Sequence, residues 1–277
     1  MIIQHKQMKE EFYLHIYQKQ KLIDQVPSNR EIAEWALNLL NLLYPERLTR
    51  SEYTLAEIKQ LFIASEKELL TILNTTKACR NCDNEQVAAT FYKDIPELYR
   101  KMNTDITAIL DGDPAAGSEF EIIRTYPGFL AVSLYRIAHH LLRLGIYLIP
   151  RFLTEYAHSV TGIDIHPRAE IGEYLFIDHG TGIVIGETTK IGNHVKLYQG
   201  VTLGALSVEK YMANTKRHPT IGDSVIIYSG ATILGGDTFI GENCIIGGNV
   251  WLTKSVPAHS TVYHQSAMKV INTKNKD

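Results

Sequence analysis

The C-terminal half of the chain carries an aliphatic residue at every sixth position. Ile165, Ile171, Ile177 and Ile183 form the first run. After a two-residue shift the series resumes at Ile185, Ile191, Leu197 and Leu203. The segment Gly204–Thr220 intervenes, then Ile221, Ile227 and Ile233 follow, and after a one-residue slip Ile240, Ile246 and Leu252. All fourteen in-register positions are Ile or Leu, although Ile, Leu and Val together make up only about a quarter of an average chain. Glycine follows the aliphatic residue at Gly172, Gly186, Gly192, Gly222, Gly241 and Gly247. A sandwich of short strands would alternate with period two. Period six fits a triangular solenoid in which each hexad supplies one short strand and one corner, with the aliphatic residue inside. Three hexads make a coil of about 18 residues, so the repeat predicts nearly five coils whose strands stack in parallel about 4.8 Å apart. A solenoid leaves its ends unpaired, so other parts of the chain must cover them. The Gly204–Thr220 segment leaves the prism as an extruded loop, and long loops in compact domains usually serve function.

The first half reads as helical. Ser28-Asn29-Arg30-Glu31 and Thr54-Leu55-Ala56-Glu57 are capping boxes ahead of apolar runs. Further helices are expected over Pro96–Leu110, from Pro127 to Leu144, and from Ile146 to Ser159, the last stopping at Gly162. Asp111-Gly112-Asp113-Pro114 is a turn. The expected division is a helical domain over 1–159, a β-helix over 160–260 and a tail over 261–277. The fold class is α+β, an all-helical N-terminal domain followed by a parallel β-helix.

Composition narrows the function. The formal charge is −2, so no global basic field exists to hold nucleic acid. No run of 18 or more apolar residues appears, so no membrane span is expected. The N-terminus lacks a signal-peptide core, which makes the cytoplasm the default location. The three cysteines do not make a disulfide framework, and Cys79 and Cys82 read as ordinary reduced thiols.

Several motifs then carry a resemblance: Asp164-Ile165-His166-Pro167, the run Ile177-Asp178-His179-Gly180-Thr181-Gly182-Ile183-Val184-Ile185-Gly186-Glu187-Thr188, Gly200-Val201-Thr202-Leu203-Gly204 and Lys216-Arg217-His218-Pro219. Arg136-Ile137-Ala138-His139 and Asp111-Gly112-Asp113-Pro114 lie upstream. With the hexads, these resemble the left-handed β-helix acyltransferases, and among them the serine O-acetyltransferases. The resemblance implies transfer of an acetyl group from acetyl-CoA to L-serine, the first step of cysteine biosynthesis, with no metal. It assigns the general base to His179, a role suited to a neutral imidazole whose pKa lies near the working pH. It assigns the partner that fixes the imidazole tautomer to Asp164. The hexads holding these two residues lie 18 residues apart, which predicts one face of adjacent coils. It gives the substrate ammonium to Asp113 and Asp178, and the carboxylate to Arg217, with His218 as a second donor. It places the coenzyme along Gly204, Ala205, Ser229 and Gly248, between subunits of a homotrimer that doubles through the helical domain. Cysteine inhibition at the serine site is expected in the same way.

Competing readings are weaker. Homoserine or a sugar hydroxyl is the alternative acceptor on the same scaffold, but two aspartates with an arginine suit an amino acid better. A silent scaffold would not need Asp164, His179 and Arg217. A zinc site built from His179 and His194 needs a third histidine and leaves the serine motifs without a purpose. His139 and His140 read as packing or hydrogen-bonding residues, and His166, His194, His259 and His264 as solvent-facing.

The chain departs from the family at three places. The segment Val262–Lys269 replaces a Gly-Val-Pro-Ala-like element that usually contacts coenzyme. The extruded loop is longer than usual, carries Val208, Tyr211 and Met212, and has no glycine after Gly204. The chain ends Asn275-Lys276-Asp277 rather than in isoleucine, which predicts weak or absent complex formation with O-acetylserine sulfhydrylase.

Overall fold

The computed structural model describes residues 2–22, 26–48, 52–76, 83–206 and 215–265. The Cys79–Cys82 pair, the loop residues Val208, Tyr211 and Met212, and the chain end Asn275–Asp277 lie outside the described residues.

The helices are α1 (Ile2–Lys21), α2 (Asn29–Leu43), α3 (Leu55–Thr76), α4 (Asn84–Lys93), α5 (Ile95–Gly112), α6 (Glu119–Thr125), α7 (Pro127–Arg143) and α8 (Leu148–Thr161). Both capping boxes form. The Ser28 and Thr54 hydroxyls each accept from the N–H three residues on at 3.2 Å, and the Glu31 and Glu57 carboxylates each accept from the cap N–H at 2.7 Å. α8 stops at Gly162, whose φ of +72° only glycine adopts cheaply. Helix α2 buries Ile32, Trp35, Ala36, Leu39 and Leu40, each large side chain contributing about 1.5–3 kcal/mol. They pack with Leu69 and Leu73 of α3, Phe91 of α4, Met102 of α5, and Phe129 and Leu141 of α7.

The second half is a parallel β-helix of three sheets. Sheet A stacks β1 (Asp164–Ile165), β4 (Val184–Ile185), β7 (Thr202–Gly204), β10 (Thr232–Leu234) and β13 (Trp251–Leu252). Sheet B stacks β2 (Glu170–Ile171), β5 (Lys190–Ile191), β8 (Thr220–Ile221) and β11 (Phe239–Ile240). Sheet C stacks β3 (Phe176–Asp178), β6 (Lys196–Tyr198), β9 (Ile226–Ile227), β12 (Ile245–Ile246) and β14 (Thr261–Val262). Of the fourteen periodic aliphatic residues, twelve are buried, and Ile171 and Leu252 near the two ends are half-buried. The last strand, β14, takes the first residues of the segment assigned to the tail.

The uniform 18-residue coil needs correction. Asp164 pairs with Val184 and Val184 with Thr202, so the first coil takes 20 residues and the second takes 18. The two extra residues sit in the corner between sheets C and A, where Ile183 turns inward without belonging to a strand.

The helical domain is joined to the first coil by buried contacts. Phe176 of β3 completes the helical core. The Arg136 guanidinium donates to the Asp105 carboxylate at 2.5 and 2.7 Å and to Gly172 O at 2.9 Å, and Asp105 also accepts from Leu175 N–H at 2.9 Å. Removing one partner of such a buried pair costs about 3–5 kcal/mol. Gly128 and Gly112 allow α7 and α5 to approach β3 closely: a Cβ on Gly128 would lie 2.5 Å from Ile177 O, and one on Gly112 would lie 2.9 Å from the Phe176 ring. That approach brings the end of α5, and with it Asp113, to the end of β3.

Candidate functional site

The corner joining sheet C to sheet A holds the first group of predicted residues. Asp113 follows α5 in extended conformation. Its Oδ1 accepts from Ala115 N–H at 2.8 Å and its Oδ2 from the Tyr126 hydroxyl at 2.7 Å. Asp178 ends β3 and points outward, beside Tyr198 of β6. Burial, the hydrogen bond to Asp113 and the charge of Asp178 push the Tyr126 phenol up to about 12. Burial first, then Tyr228, Asp178 and Asp113, raise Tyr198. The two carboxylates therefore act on the same tyrosines.

His179 follows with φ +54°, a left-handed conformation that is costly for a side-chain-bearing residue. Gly180 and Gly182 are also left-handed, at φ +85° and +81°. This turn throws the imidazole outward, and its side chain is 71% exposed. Gly180 packs on the residue just before β1 so closely that a Cβ would lie 2.4 Å from Ile163 Cδ1. Asp164 N–H donates to Ile183 O at 2.9 Å. Asp164 thus lies on β1 next to the residue that Gly180 touches, while His179 sits on the corner itself. They do not stack as equivalent positions of successive coils: a uniform 18-residue coil would leave His179 three residues out of register with Asp164, and the longer first coil, which pairs Asp164 with Val184, makes it five. The carboxylate beside the His179 ring is Asp178, with Oδ1 3.8 Å from Nε2. Burial raises the Asp164 carboxyl.

The second group lies across sheet A, at the corner joining A to B. His218 is buried. Its Nδ1 accepts from Thr188 N–H at 3.1 Å and lies 2.9 Å from the Thr188 hydroxyl, which leaves the ring proton on Nε2. Burial, then Arg217 and Lys216, push His218 down to about 4, so it is neutral at pH 7. Arg217 pairs with Glu187, and Arg168 stands 3.4 Å from the same carboxylate. Burial opposes ionisation of Glu187, but Arg217, His166 and Arg168 prevail and hold it below the usual range.

The predicted coenzyme residues divide in the same way. Ser229 and Gly248 share the C–A corner on successive coils, where Asn249 N–H donates to Ser229 O at 2.9 Å. Gly204 ends β7 and Ala205 follows it, both on the A–B side. One chain therefore sets Asp113, Asp178 and His179 on the same corner as Ser229 and Gly248, which lie two and three coils further on, with Asp164 on the adjoining strand. It holds Arg217, His218, Gly204 and Ala205 at the far edge of sheet A. A cavity of about 820 Å³ lies between α7 and sheet B, lined by Arg136, His139 and Lys190, away from the C–A corner.

Glu187 and Thr188 close the Ile177–Thr188 run but receive no role from the resemblance, and Tyr126 is not among its residues. Glu187 and Thr188 follow directly on the Gly182–Gly186 run, which was their available signal. His166 is half-buried rather than solvent-facing: its Nδ1 accepts from Arg168 N–H at 3.1 Å, and burial pushes it down to about 4. His139 packs as expected, with Nδ1 2.8 Å from Pro167 O. Among the described residues no group of three or more His, Cys, Asp or Glu could hold a metal, and no helix is long and apolar enough to cross a membrane.

Known proteins share this architecture. No family model matches the chain. It is 50% identical over 182 residues to a plasmid serine acetyltransferase of Synechococcus elongatus, covering 64% of this chain and 57% of that protein. It is 47% identical over 165 residues to the serine acetyltransferase of Bacillus subtilis, covering 60% of this chain and 74% of that one. The crystal structure of serine acetyltransferase isoform 3 from Entamoeba histolytica in complex with cysteine matches with TM-score 0.76 and 37% identity, over 87% of this chain and 85% of that one. The Neisseria gonorrhoeae serine acetyltransferase in complex with serine matches with TM-score 0.59 and 26% identity, over 89% and 98%. The solenoid is accordingly a left-handed β-helix behind a helical domain. With the motifs at both corners in place, this chain belongs to the serine acetyltransferase family.

Proposed function

We propose that the chain acetylates the hydroxyl of L-serine from acetyl-CoA, and that its active site is completed between neighbouring copies. The observation that carries this reading is the division of the site between two edges of sheet A. A serine zwitterion is shorter than the width of that sheet, so Asp113 and Asp178 of one chain cannot share it with Arg217 and His218 of the same chain. A ring of copies that sets the C–A corner of one chain against the A–B corner of the next joins both halves, and it joins both halves of the coenzyme path. Such a head-to-tail contact can close as a ring, and the trimer implied by the resemblance is the ring taken here. Sheet A then faces the three-fold axis, and its outward residues include the exposed Val184 and Trp251, apolar surface suited to such a contact.

In this site Asp113 and Asp178 receive the serine ammonium, while Arg217 and the His218 Nε2–H receive its carboxylate. The serine Oγ gives its proton to the His179 imidazole and attacks the thioester carbonyl. Asp164 stabilises the imidazolium. The tetrahedral intermediate then expels the coenzyme thiolate, which takes the proton back from His179. Cysteine presents the same ammonium and carboxylate, so it competes with serine. The chain acts as a soluble homotrimer that pairs into a dimer of trimers through its helical domain, in the cytoplasm.

The experiment is thiol release from acetyl-CoA with serine, homoserine and sugars offered in turn. Turnover with serine and competitive inhibition by cysteine are expected. Turnover with a sugar alone would replace this reading by the alternative acceptor.

A further inference from the structure

The proposed serine site uses Arg217 and His218 of the motif Lys216-Arg217-His218-Pro219 and gives Lys216 no task. The Lys216 ammonium turns back onto the main chain. It donates to Thr188 O at 2.8 Å, to Pro219 O at 3.1 Å and to His218 O. An ammonium carries three donors, so all of them are spent. Among the described residues Lys216 pairs with no carboxylate.

The three acceptors come from two successive coils. Lys190 pairs with Thr220, so Thr188 and His218 are neighbours at the A–B corner, one coil apart. Where the extruded loop rejoins the prism, three carbonyl oxygens therefore converge on one point. Carbonyls crowded together in this way need donors, and the ammonium supplies one to each. The same leg of chain is held at two other places. The Thr188 hydroxyl accepts from Arg217 N–H at 3.0 Å and from His218 N–H at 3.1 Å. From the other side comes Gly236, in the turn between β10 and β11 at the same corner of the following coil. A Cβ on Gly236 would lie 2.1 Å from Lys216 O and 3.0 Å from Arg217 Cα. The leg is thus tied to the coil before it and backed by the coil after it.

We infer that Lys216 is a positioning residue for the serine carboxylate: its ammonium clips the leg at 216–219 to the turn at Thr188, so that Arg217 and His218 stand fixed at the edge of sheet A. With its donors spent, Lys216 acts through these neighbours and not on the substrate. The inference rests on the proposed assignment of the carboxylate to Arg217 and His218.

Kinetics of the full chain with L-serine and with L-serinamide, which lacks the carboxylate, test it. Lys216→Met keeps the apolar stem and removes the ammonium. It should raise KM for serine about 5- to 10-fold, the size of a lost hydrogen bond to a charged group. The kcat with serine, kcat/KM with serinamide and KM for acetyl-CoA should stay as in wild type. Gly236→Ala displaces the same leg from the opposite side and should give the same pattern. Lys190→Met removes a neighbouring ammonium, paired with Glu170 at 2.9 Å, and should change none of these values. Equal losses with serine and serinamide in the Lys216 and Gly236 variants, or no loss with serine, would overturn the clip. A wild-type chain that takes serinamide as readily as serine would remove the carboxylate from the second corner, and the clip with it.

Discussion

The two edges of sheet A each present a histidine, and the two are held in opposite ways. His179 stands on a left-handed turn with its ring in solvent and a carboxylate at 3.8 Å. His218 is buried, its Nδ1 occupied by Thr188 and its charge suppressed by burial, Arg217 and Lys216. A ring that must take up and release a proton cannot be pinned in one tautomer by buried donors. A ring that must present one N–H benefits from exactly one free nitrogen, which burial and Thr188 supply. The contrast fits a base at the first corner and a fixed donor at the second. The substitution that presses hardest on it is His179→Ala, which should lower kcat about 10²–10⁴-fold with little change in KM for serine. His218→Ala should act mainly on KM for serine. Steady-state kinetics of both variants decide it, and matched losses in kcat would erase the distinction.

The same comparison predicts that damage at one corner can be bypassed by an intact corner of another copy. His179→Ala and Arg217→Ala chains, each nearly inactive alone, should recover activity when refolded together in equal amounts. Random mixing in a ring pairs an intact first corner with an intact second corner at about a quarter of the interfaces. Recovery of about a quarter of wild-type activity is therefore the expected reading. A mixture as inactive as its parents would place the whole site within one chain.

Much of this architecture was legible because inward residues repeat at a fixed interval. Any prism of this kind must bury Ile165, Ile191 or Ile227 at such positions, and Ser28 and Thr54 announced their helices through local hydrogen bonds. The first corner was less legible. The two-residue shift between Ile183 and Ile185 was visible, but the sequence does not say whether a strand or a turn absorbs extra residues. The turn absorbs them, since Gly180 and Gly182 tolerate φ values that a strand cannot use. This moves Asp164 out of the register that a uniform 18-residue coil implied. Asp113 and Tyr126 meet across α6, a tertiary contact that no periodicity encodes. The Arg217–Glu187 pair bridges the extruded loop and was hidden for the same reason. Division of the site between two edges could be read only once the strands had been assigned to sheets.

A smaller effect probes how the first corner holds its acid. The Tyr126 hydroxyl fixes one oxygen of Asp113 at 2.7 Å, while Ala115 N–H fixes the other at 2.8 Å. Tyr126→Phe removes one of these two bonds and leaves the fold intact. Hydrogen bonds to charged groups contribute about 1.5–3 kcal/mol, but only the part felt by bound ammonium reaches binding. KM for serine should rise about 5-fold, which corresponds to roughly 1 kcal/mol, with kcat unchanged. An equal fall in kcat would mean that Tyr126 acts on the chemistry and not on the placement of Asp113.

The smallest effect concerns the second corner and pH. His218 is pushed down to about 4 in the folded chain, against about 6.5 when unfolded. Above pH 6.5 both states are neutral and the full stability is present. As pH falls from 6.5 towards 4, the unfolded chain binds a proton that the folded chain refuses, so stability declines; below 4 the loss is complete. His166 is depressed to about 4 as well and acts in the same window, whereas Glu187, held below the usual carboxylate range, loses its contribution only at lower pH. His218→Asn removes one of the two histidine contributions while an amide oxygen can still accept from Thr188. Thermal melts at pH 7 and pH 5.7 isolate it by difference. The wild-type melting temperature should drop between these values by about 2–4 °C more than that of His218→Asn, the size of a 1 kcal/mol change in a domain of this length. Equal drops in the two proteins would mean that His218 takes up its proton in the folded state, and the second corner would then hold no fixed neutral donor.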